Sequence, residues 1–265
     1  MKQLMSDCRE MFVEQLHYRE LLYEMTRRDL LIRYKQTIMG FGWAVFMPLV
    51  NTAIFSVIFT RVTTVDVGVP YPVYAFSGLV AWNFFASSLR FAVSSLTSNP
   101  SLVTKIYFPR EIFPFSAVLV SLVDLAVALV VLGGLMAWYQ VPIGWSAAAL
   151  PVVILAAVMF TAASALVISM ANLFYRDVKY LFEIVIAMWM FATSVVYPVG
   201  RVGGRLGALL ALNPMTPLVE AFRAVLIGGQ LPGPDFAVMF VFSALFLAVA
   251  WAAFHAAEFD FAENL

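Results

Sequence analysis

The sequence has 265 residues, of which 63% are hydrophobic and 12% are charged, whereas soluble domains are about half apolar and about a quarter charged. A core of this size cannot bury so much apolar surface, so the composition excludes an ordinary soluble protein and predicts one that lies in a lipid bilayer. The formal net charge of zero gives no sign of nucleic-acid binding, and the single cysteine cannot form an internal disulfide.

The first predicted element is an amphipathic helix over about residues 10–36. Apolar side chains such as Met11, Leu16 and Leu30 recur at helical spacing among acidic and basic ones. Such a helix is typical of the cytoplasmic membrane interface, with its apolar side in the acyl boundary and its Arg and Lys side chains at the headgroups. A soluble amphipathic helix docked on another subunit would produce the same pattern, and both interpretations are compatible.

Six apolar stretches follow, and a helix needs about 20 such residues to span the hydrocarbon. The pattern predicts membrane spans at 38–61, 73–97, 112–138, 145–174, 180–199 and 236–256. The run from Leu125 to Tyr175 has no charged residue and is far too long for one crossing at about 1.5 Å per residue. The turn residues from Gln140 to Gly144 therefore divide it into two spans.

Lysine and arginine side chains are concentrated in alternate connections, and this distribution predicts the orientation of the chain. They occur in the N-terminal segment, after the second predicted span and after the fourth, whereas the connections after the first and third spans contain almost none. The asymmetry predicts a multi-pass protein with both termini in the cytoplasm.

The connection after the fifth span does not fit this pattern, because it contains three arginines on the predicted outer side. Its apolar stretch, 206–227, is broken by Asn213, Pro214 and Pro217. Short broken helices are tolerated at membrane depth only where protein or a water-filled cavity surrounds them. We therefore predict a re-entrant helical hairpin on the outer face, with two further partial crossings as the alternative.

Three charged residues lie within predicted spans, namely Arg90, Asp124 and Glu183. Ionisable groups at membrane depth are costly and are candidates for function by default. Asp124 is the deepest, and it either pairs with a neighbouring helix or faces a pore. Arg90 and Glu183 lie nearer to span ends, where long side chains can reach the interface. These acids are too few for a proton relay, which disfavours a secondary transporter.

The connection after the second span contains a short amphipathic segment, 99–108, bracketed by Pro100 and Pro109. It is basic, and its apolar side chains need a surface against which to pack. These properties are typical of a short helix that docks in the groove of another protein, and they disfavour an ordinary connecting loop.

The motifs of several enzyme classes are missing. No GxxxxGK(S/T) phosphate-binding loop occurs in the sequence, so the chain is not expected to bind ATP in that way. The two histidines, His17 and His255, are far apart and there is one cysteine, Cys8, so the sequence predicts no metal site and no nucleophile dyad. We find no catalytic constellation, and we predict a non-enzymatic membrane protein.

Four stretches, in order, resemble one known family. The first is 25–43, which contains Arg33, Tyr34 and Lys35 and is followed by Pro48. The others are 105–111, 172–178 and 212–223. Together they resemble the permeases of polysaccharide ABC exporters, the Wzm-type O-antigen and TagG-type teichoic acid exporters among the type-2 ABC transporters.

The resemblance implies an all-α protein with six transmembrane helices that forms a homodimer in the inner membrane, with two ATPase subunits that bind ATP and Mg²⁺. A channel between the protomers would export a polysaccharide on a polyprenyl diphosphate, and O-antigen is the first expectation. Teichoic acid or capsular polysaccharide is the alternative cargo, and a self-sufficient channel or secondary transporter is a further alternative. The chain itself would hold no cofactor.

The resemblance also implies roles for particular segments, with 10–36 as an interface helix, 99–108 as the coupling helix and 206–227 as periplasmic gate helices. Arg33, Tyr34 and Lys35 match a basic motif that would contact the lipid diphosphate, and anchoring to anionic lipid explains them equally well. The residues expected to contact the ATPase are Ser101, Leu102, Lys105, Ile106, Tyr107 and Phe108. The expected outer gate contains Asn213, Pro214, Pro217, Glu220 and Arg223.

Overall fold

The computed structural model of the chain describes residues 17–35, 40, 42–61, 67–105, 108–198, 204, 207, 210 and 212–262. Within those residues the regular structure is entirely helical, which confirms the all-α prediction. Nine α-helices are found in this part of the chain, and two short 3₁₀ helices, Trp145–Ala149 and Glu258–Ala262, accompany them. The α-helices are α1 (Arg19–Tyr34), α2 (Gly42–Arg61), α3 (Tyr71–Val93), α4 (Pro100–Lys105), α5 (Ile112–Trp138), α6 (Leu150–Phe174), α7 (Val178–Phe191), α8 (Met215–Leu226) and α9 (Pro234–Ala257).

Three helical segments of the described residues are long and apolar enough to cross a membrane, namely Ile112–Trp138, Trp145–Phe174 and Pro234–Ala257. At about 1.5 Å per residue each exceeds the roughly 30 Å of a bilayer's hydrocarbon core. A shorter apolar helix covers Val45–Phe59. The other helices are shorter or more polar than these three.

The helix α3 is the centre of the bundle, although it is more polar than α5, α6 and α9. It packs against α2, α5, α6 and α8, and Phe76 and Phe85 are almost completely buried. Because protein surrounds it, α3 does not need a uniformly apolar surface for contact with lipid. Its buried serines are satisfied locally, since Ser77 Oγ donates to the Tyr74 carbonyl and Ser88 Oγ to the Phe84 carbonyl.

The bundle has two ends that contain different elements. The α4 end contains α4, the start of α5, the ends of α6 and α9, and Glu258–Ala262. The α8 end contains α8, the start of α3, the turn after α7 and Trp145–Ala149. The helices α3, α5, α6 and α9 run between the two ends.

A hydrophobic cluster packs α4 onto its own chain. Val103 of α4, Phe113 of α5 and Phe254 of α9 are fully buried in this cluster. The Phe261 ring lies edge-on to the Phe254 ring at 5.0 Å between centroids and 6.0 Å from the Phe174 ring. The short helix α4 is therefore packed against α5, α9 and the segment that follows α9.

The helix α1, predicted to lie in the membrane interface, packs along α5. The first part of the predicted range, 10–16, lies outside the described residues. Ser116 Oγ donates a 2.8 Å hydrogen bond to Asp29 Oδ2, and Arg33 reaches Asp124 further along α5. The second half of α1 thus follows the first half of α5, because paired polar side chains hold it against the bundle.

The helix α7 is shorter than the predicted span 180–199. It ends at Phe191, and residues 192–197 form turns. Its 14 residues extend about 21 Å, which is less than the thickness of the hydrocarbon core. The turn leaves the carbonyls of Ser194 and Val195 available, and both accept hydrogen bonds from Arg223.

Two other predicted segments are described only in part. The predicted coupling segment 99–108 contains the six-residue helix α4, and Ile106 and Tyr107 lie outside the described residues. The second half of the predicted gate segment 206–227 is α8, which begins at Met215, after Asn213 and Pro214. Most of its first half lies outside the part of the chain that the structure describes.

Removing the Phe254 ring tests whether the cluster at the α4 end holds the fold together. The substitution Phe254→Ala leaves a cavity between α4, α5 and α9, and we expect it to lower the free energy of unfolding by about 3 kcal/mol. Val249→Ala on the same helix is the control, because Val249 is 67% exposed. Denaturant unfolding of the purified chain in detergent micelles measures both, and equal stabilities would contradict the role of the cluster.

Candidate functional site

An ion pair joins α1 to α5 in the interior of the bundle. Arg33 Nη1 lies 2.7 Å from Asp124 Oδ2, and the two side chains are 21% and 15% exposed. The contact rests on charge and proximity, because these two atoms do not form a well-aligned hydrogen bond. The Tyr34 hydroxyl donates to Asp124 Oδ1, and Arg33 Nη2 donates a 2.9 Å hydrogen bond to Ser87 Oγ on α3. The pair therefore connects three helices.

Of the two interpretations of Asp124, the structure shows pairing with a neighbouring helix. An isolated carboxylate in an apolar interior is strongly disfavoured, and an arginine at ion-pair distance offsets that cost. The Arg33 guanidinium also lies 4.3 Å from the centroid of the Phe91 ring, whose face attracts cations.

The ion pair lines a cavity of about 380 Å³ between α1, α2, α3 and α5. Arg90, Asn83 and Ser87 add polar groups to its wall, and Trp43 adds a flat aromatic face. Arginine forms charge-assisted hydrogen bonds with phosphate, and amide and hydroxyl groups bind sugar hydroxyls. The wall is therefore suited to an anionic group that also has hydroxyls. We call this space the Arg33 cavity.

The other two predicted intramembrane charges pair with each other. Arg90 Nε lies 3.2 Å from Glu183 Oε2 on α7, and both side chains are about half exposed. Lys35, the third residue of the predicted headgroup motif, is exposed at the end of α1 and does not line the Arg33 cavity. The structure thus brings Arg33, Tyr34, Arg90 and Asp124 to one cavity.

Asn213 fixes the start of α8 to the end of α7. Its amide group donates 2.8 Å hydrogen bonds to the Ala192 carbonyl and to Thr193 Oγ1. Its Oδ1 accepts a hydrogen bond of 2.8 Å from Trp189 Nε1 and one of 3.0 Å from the main-chain N–H of Met215. Three of these four hydrogen bonds connect the amide to α7 and the turn after it, and the fourth is local to the start of α8.

Arg223 is buried at the α8 end and connects α8 to the turn after α7. Its guanidinium donates to the carbonyls of Ser194 and Val195 and lies 3.2 Å from Glu220 Oε1. The face of the Tyr74 ring lies 3.8 Å from its central carbon. Carbonyl dipoles, one carboxylate and one aromatic face together offset the cost of burying this charge.

Gly78 of α3 leaves the space that the Arg223 guanidinium occupies. A Cβ at this position would lie 2.3 Å from the Val195 carbonyl oxygen and 2.4 Å from Arg223 Nη2. Both distances are far below van der Waals contact. The glycine therefore allows α3, α8 and the turn after α7 to meet at this point, and its role was not predicted from the sequence.

The predicted gate residues separate onto two faces of α8. Asn213, Pro214, Pro217 and Glu220 line a groove of about 980 Å³ between α8 and α9. The α9 side of this groove is mainly apolar and includes Phe236, Met239 and Phe242. Arg223 does not line it, because its side chain points to α3 instead. Pro214, Pro217 and Glu220 thus line the groove, Arg223 is the buried anchor, and Asn213 contributes to both.

The predicted ATPase-contact residues of α4 also have different environments. Ser101 is exposed, whereas Leu102 is half-buried in the cluster at the α4 end. Phe108 is buried with its ring 5.6 Å from that of Phe113, so it packs within the chain rather than facing a partner. The side chain of Lys105 and the residues Ile106 and Tyr107 lie outside what the structure describes.

Comparison with known proteins identifies a family match that covers most of the chain. Residues 20–227 match the family described as ABC-2 type transporter. An O-antigen export system permease protein RfbA from Myxococcus xanthus is 30% identical over 260 residues, which is 95% of this chain and 98% of that protein. Two proteins of the same name from Klebsiella pneumoniae are 26% and 27% identical over 248 residues, 93% of this chain and 95% of each relative.

A double-mutant cycle tests the ion pair. Arg33→Gln or Asp124→Asn alone leaves a buried charge without its partner, and we expect either to lower the free energy of unfolding by about 3 kcal/mol. The double variant should lose clearly less than the two single losses combined, because no unpaired charge remains. Unfolding in detergent micelles measures the four proteins, and strictly additive losses would contradict the pairing.

A pair of glycine substitutions tests the junction at Gly78. Gly78→Ala forces the Val195 carbonyl or the Arg223 guanidinium to move, and we expect a destabilisation of about 1–3 kcal/mol. Gly134→Ala in α5 is the matched control, because a Cβ there meets no atom within 4 Å, and we expect no loss. The thermal unfolding midpoint in detergent measures both variants, and similar midpoints would contradict the steric role of Gly78.

Proposed function

We propose a function from one premise: the chain belongs to the ABC-2 type transporter family. It is a membrane permease subunit of an ABC transporter, and we propose that its cargo is a lipid-linked polysaccharide of the O-antigen kind. The observation that carries the proposal is the similarity, along nearly the whole chain, to permeases of O-antigen export systems. The mixed anion- and hydroxyl-binding character of the Arg33 cavity supports the same class of cargo.

The energy for transport comes from separate subunits in this proposal. The sequence has no phosphate-binding loop, so ATP and Mg²⁺ bind to two ATPase subunits beside a homodimer of this chain. We take the α4 end and both termini to be in the cytoplasm and the α8 end outside, because lysine and arginine are concentrated in the connections at the α4 end. The membrane is then the inner, cytoplasmic one.

The helix α4 is the proposed contact with the ATPase. Ser101 and Thr104 are exposed on one side, while Val103 is buried on the other. A displacement of α4 is passed to α5 and α9 through the cluster around Phe113 and Phe254. ATP binding in the partner would therefore shift the bundle between two arrangements.

The proposed entry point for the lipid diphosphate is the Arg33 cavity and its cytoplasmic rim. Arg33 and Tyr34 are committed to Asp124, so a phosphate group would compete with this carboxylate for Arg33. Arg90, which is paired with Glu183 but about half exposed, and the exposed Lys35 are further cationic groups that a phosphate could reach. Charge-assisted hydrogen bonds to phosphate are the chemistry expected of these side chains.

The proposed outer gate is α8 with the segment before it. Asn213 and Arg223 fix one face of α8 to α7 and α3, whereas Pro217 and Glu220 face the open groove beside α9. Polymer passing at the α8 end would contact the face of α8 that lines the groove. The buried face of α8 would act as the pivot of this helix.

A charge placed on α4 tests the function together with the contact. In cells that depend on this permease for export, Ser101→Glu should reduce both the co-purified ATPase and the exported polymer at least tenfold, and polyprenyl-linked polysaccharide should accumulate inside. Ser101 is exposed, so the substitution does not disturb the packed cluster. Gln230→Glu adds the same charge at an exposed position of the α8 end and should behave as wild type.

Two outcomes would contradict separate parts of the proposal. Normal export by the Ser101→Glu variant would remove α4 as the contact with the ATPase while leaving the cargo assignment intact. Movement of polymer by the purified chain alone, in vesicles without an ATPase, would overturn the function itself.

A further inference from the structure

Three potential metal ligands from distant parts of the sequence meet at the α4 end. They are Glu111 at the start of α5, His255 in the last turn of α9, and Glu258 just after it. One ligand atom from each lies within 4.8 Å of the others. His255 Nδ1 lies 3.4 Å from Glu111 Oε1 and 3.5 Å from Glu258 Oε2. The imidazole nitrogen therefore stands between two carboxylates.

The spacing of these atoms is closer to that of metal ligands than to that of good hydrogen bonds. Hydrogen bonds from nitrogen to oxygen are usually about 2.7–3.2 Å long. Two ligands of a tetrahedral Zn²⁺, each bound at about 2.0–2.1 Å, are separated by about 3.3–3.4 Å. The two distances from His255 Nδ1 to the carboxylate oxygens, 3.4 Å and 3.5 Å, are close to this ligand–ligand separation.

The burial of Glu111 points to a missing partner. Its side chain is 2% exposed, and Oε2 has no hydrogen-bond partner among the described residues. Oε1 accepts a 3.2 Å hydrogen bond from Trp251 Nε1. An unpartnered oxygen on a buried carboxylate is costly, and a cation bound at Oε1 would offset part of that cost by neutralising the charge of the whole carboxylate. Trp251 would meanwhile hold the carboxylate in place, as hydrogen bonds from surrounding residues do for metal ligands.

The cluster is also short of positive charge. Arg110 is the nearest guanidinium, but it donates to the main-chain carbonyl of Glu258, and its Nε lies 3.9 Å from Glu258 Oε1. That oxygen accepts a 3.1 Å hydrogen bond from the main-chain N–H of Arg110. Two acids thus share a confined space with one arginine at its edge.

We propose that Glu111, His255 and Glu258 bind one Zn²⁺ ion, with water as the fourth ligand. An imidazole nitrogen with two carboxylates is a ligand set that Zn²⁺ accepts, whereas Mg²⁺ and Ca²⁺ prefer oxygen ligands alone. The ion would join the start of α5 to the end of α9, beside α4. It would therefore hold the segment Glu258–Ala262 against the hydrophobic cluster that packs α4.

Zinc titration of the full-length chain tests the site. The purified protein in detergent is freed of metal with a chelator, and ZnCl₂ is added in competition with a fluorescent zinc indicator. We expect one Zn²⁺ per chain with a Kd below about 1 µM, weakened at least tenfold by His255→Gln and by Glu258→Gln. His17→Gln and Cys8→Ser are the matched controls, because they remove the other histidine and the one cysteine, and both should bind as wild type.

A second measurement separates loss of the site from loss of the fold. Zn²⁺ should raise the thermal unfolding midpoint of the wild type and of His17→Gln, because it binds the folded state, but not that of His255→Gln. MgCl₂ and CaCl₂ should have no such effect. If His255→Gln does not fold, Glu258→Gln alone decides between the outcomes, because its side chain is close to the size of the original.

Several results would contradict the proposed Zn²⁺ site. They are a wild-type Kd above about 100 µM, unchanged binding after both His255→Gln and Glu258→Gln, or loss of binding in His17→Gln or Cys8→Ser. A wild-type midpoint that responds to pH near neutrality but not to Zn²⁺ would assign the cluster to proton binding instead.

Discussion

Charged side chains that lie where water is scarce need an opposite charge or a set of carbonyl dipoles, and this requirement determines how the helices are held. Arg33 meets Asp124, and Arg223 meets the carbonyls of the turn after α7. The first contact joins two helices that are distant in sequence, and the second holds α8 to the turn after the preceding helix. The interactions that offset the cost of burying these charges therefore also connect α1 and α8 to the bundle, whereas Arg90 and Glu183, both about half exposed, form a weaker link between α3 and α7.

The two ends of the bundle share apolar packing but differ in what accompanies it. At the α4 end, aromatic and aliphatic side chains pack α4, α5 and α9 into one unit. At the α8 end, apolar side chains of α8 such as Phe222 are also buried, and Asn213 and Arg223 add directed hydrogen bonds, while an open groove separates α8 from α9. One face of α8 is therefore closely packed, and the opposite face borders open space.

The sequence was sufficient for the helical class and for the turn that divides the run from Leu125 to Tyr175, because both follow from local composition. It was insufficient for pairings, because Asp124 and Arg33, or Glu111 and His255, meet only after the helices have packed. The early end of α7 was not predicted either, because Arg223 meets the carbonyls of the following turn only after the helices have packed. Phe108 was expected to face a partner, but the apolar side of this segment packs against its own chain.

The length of α4 has a consequence for association with a partner. Six residues cannot form a stable helix in water, since nucleation alone costs more than so few hydrogen bonds return. Burial of Val103 within the same chain gives this segment its shape beforehand. In the proposed complex, the ATPase would meet a preorganised element and bear little of the conformational entropy of ordering it, so a small contact area would still give a lasting complex.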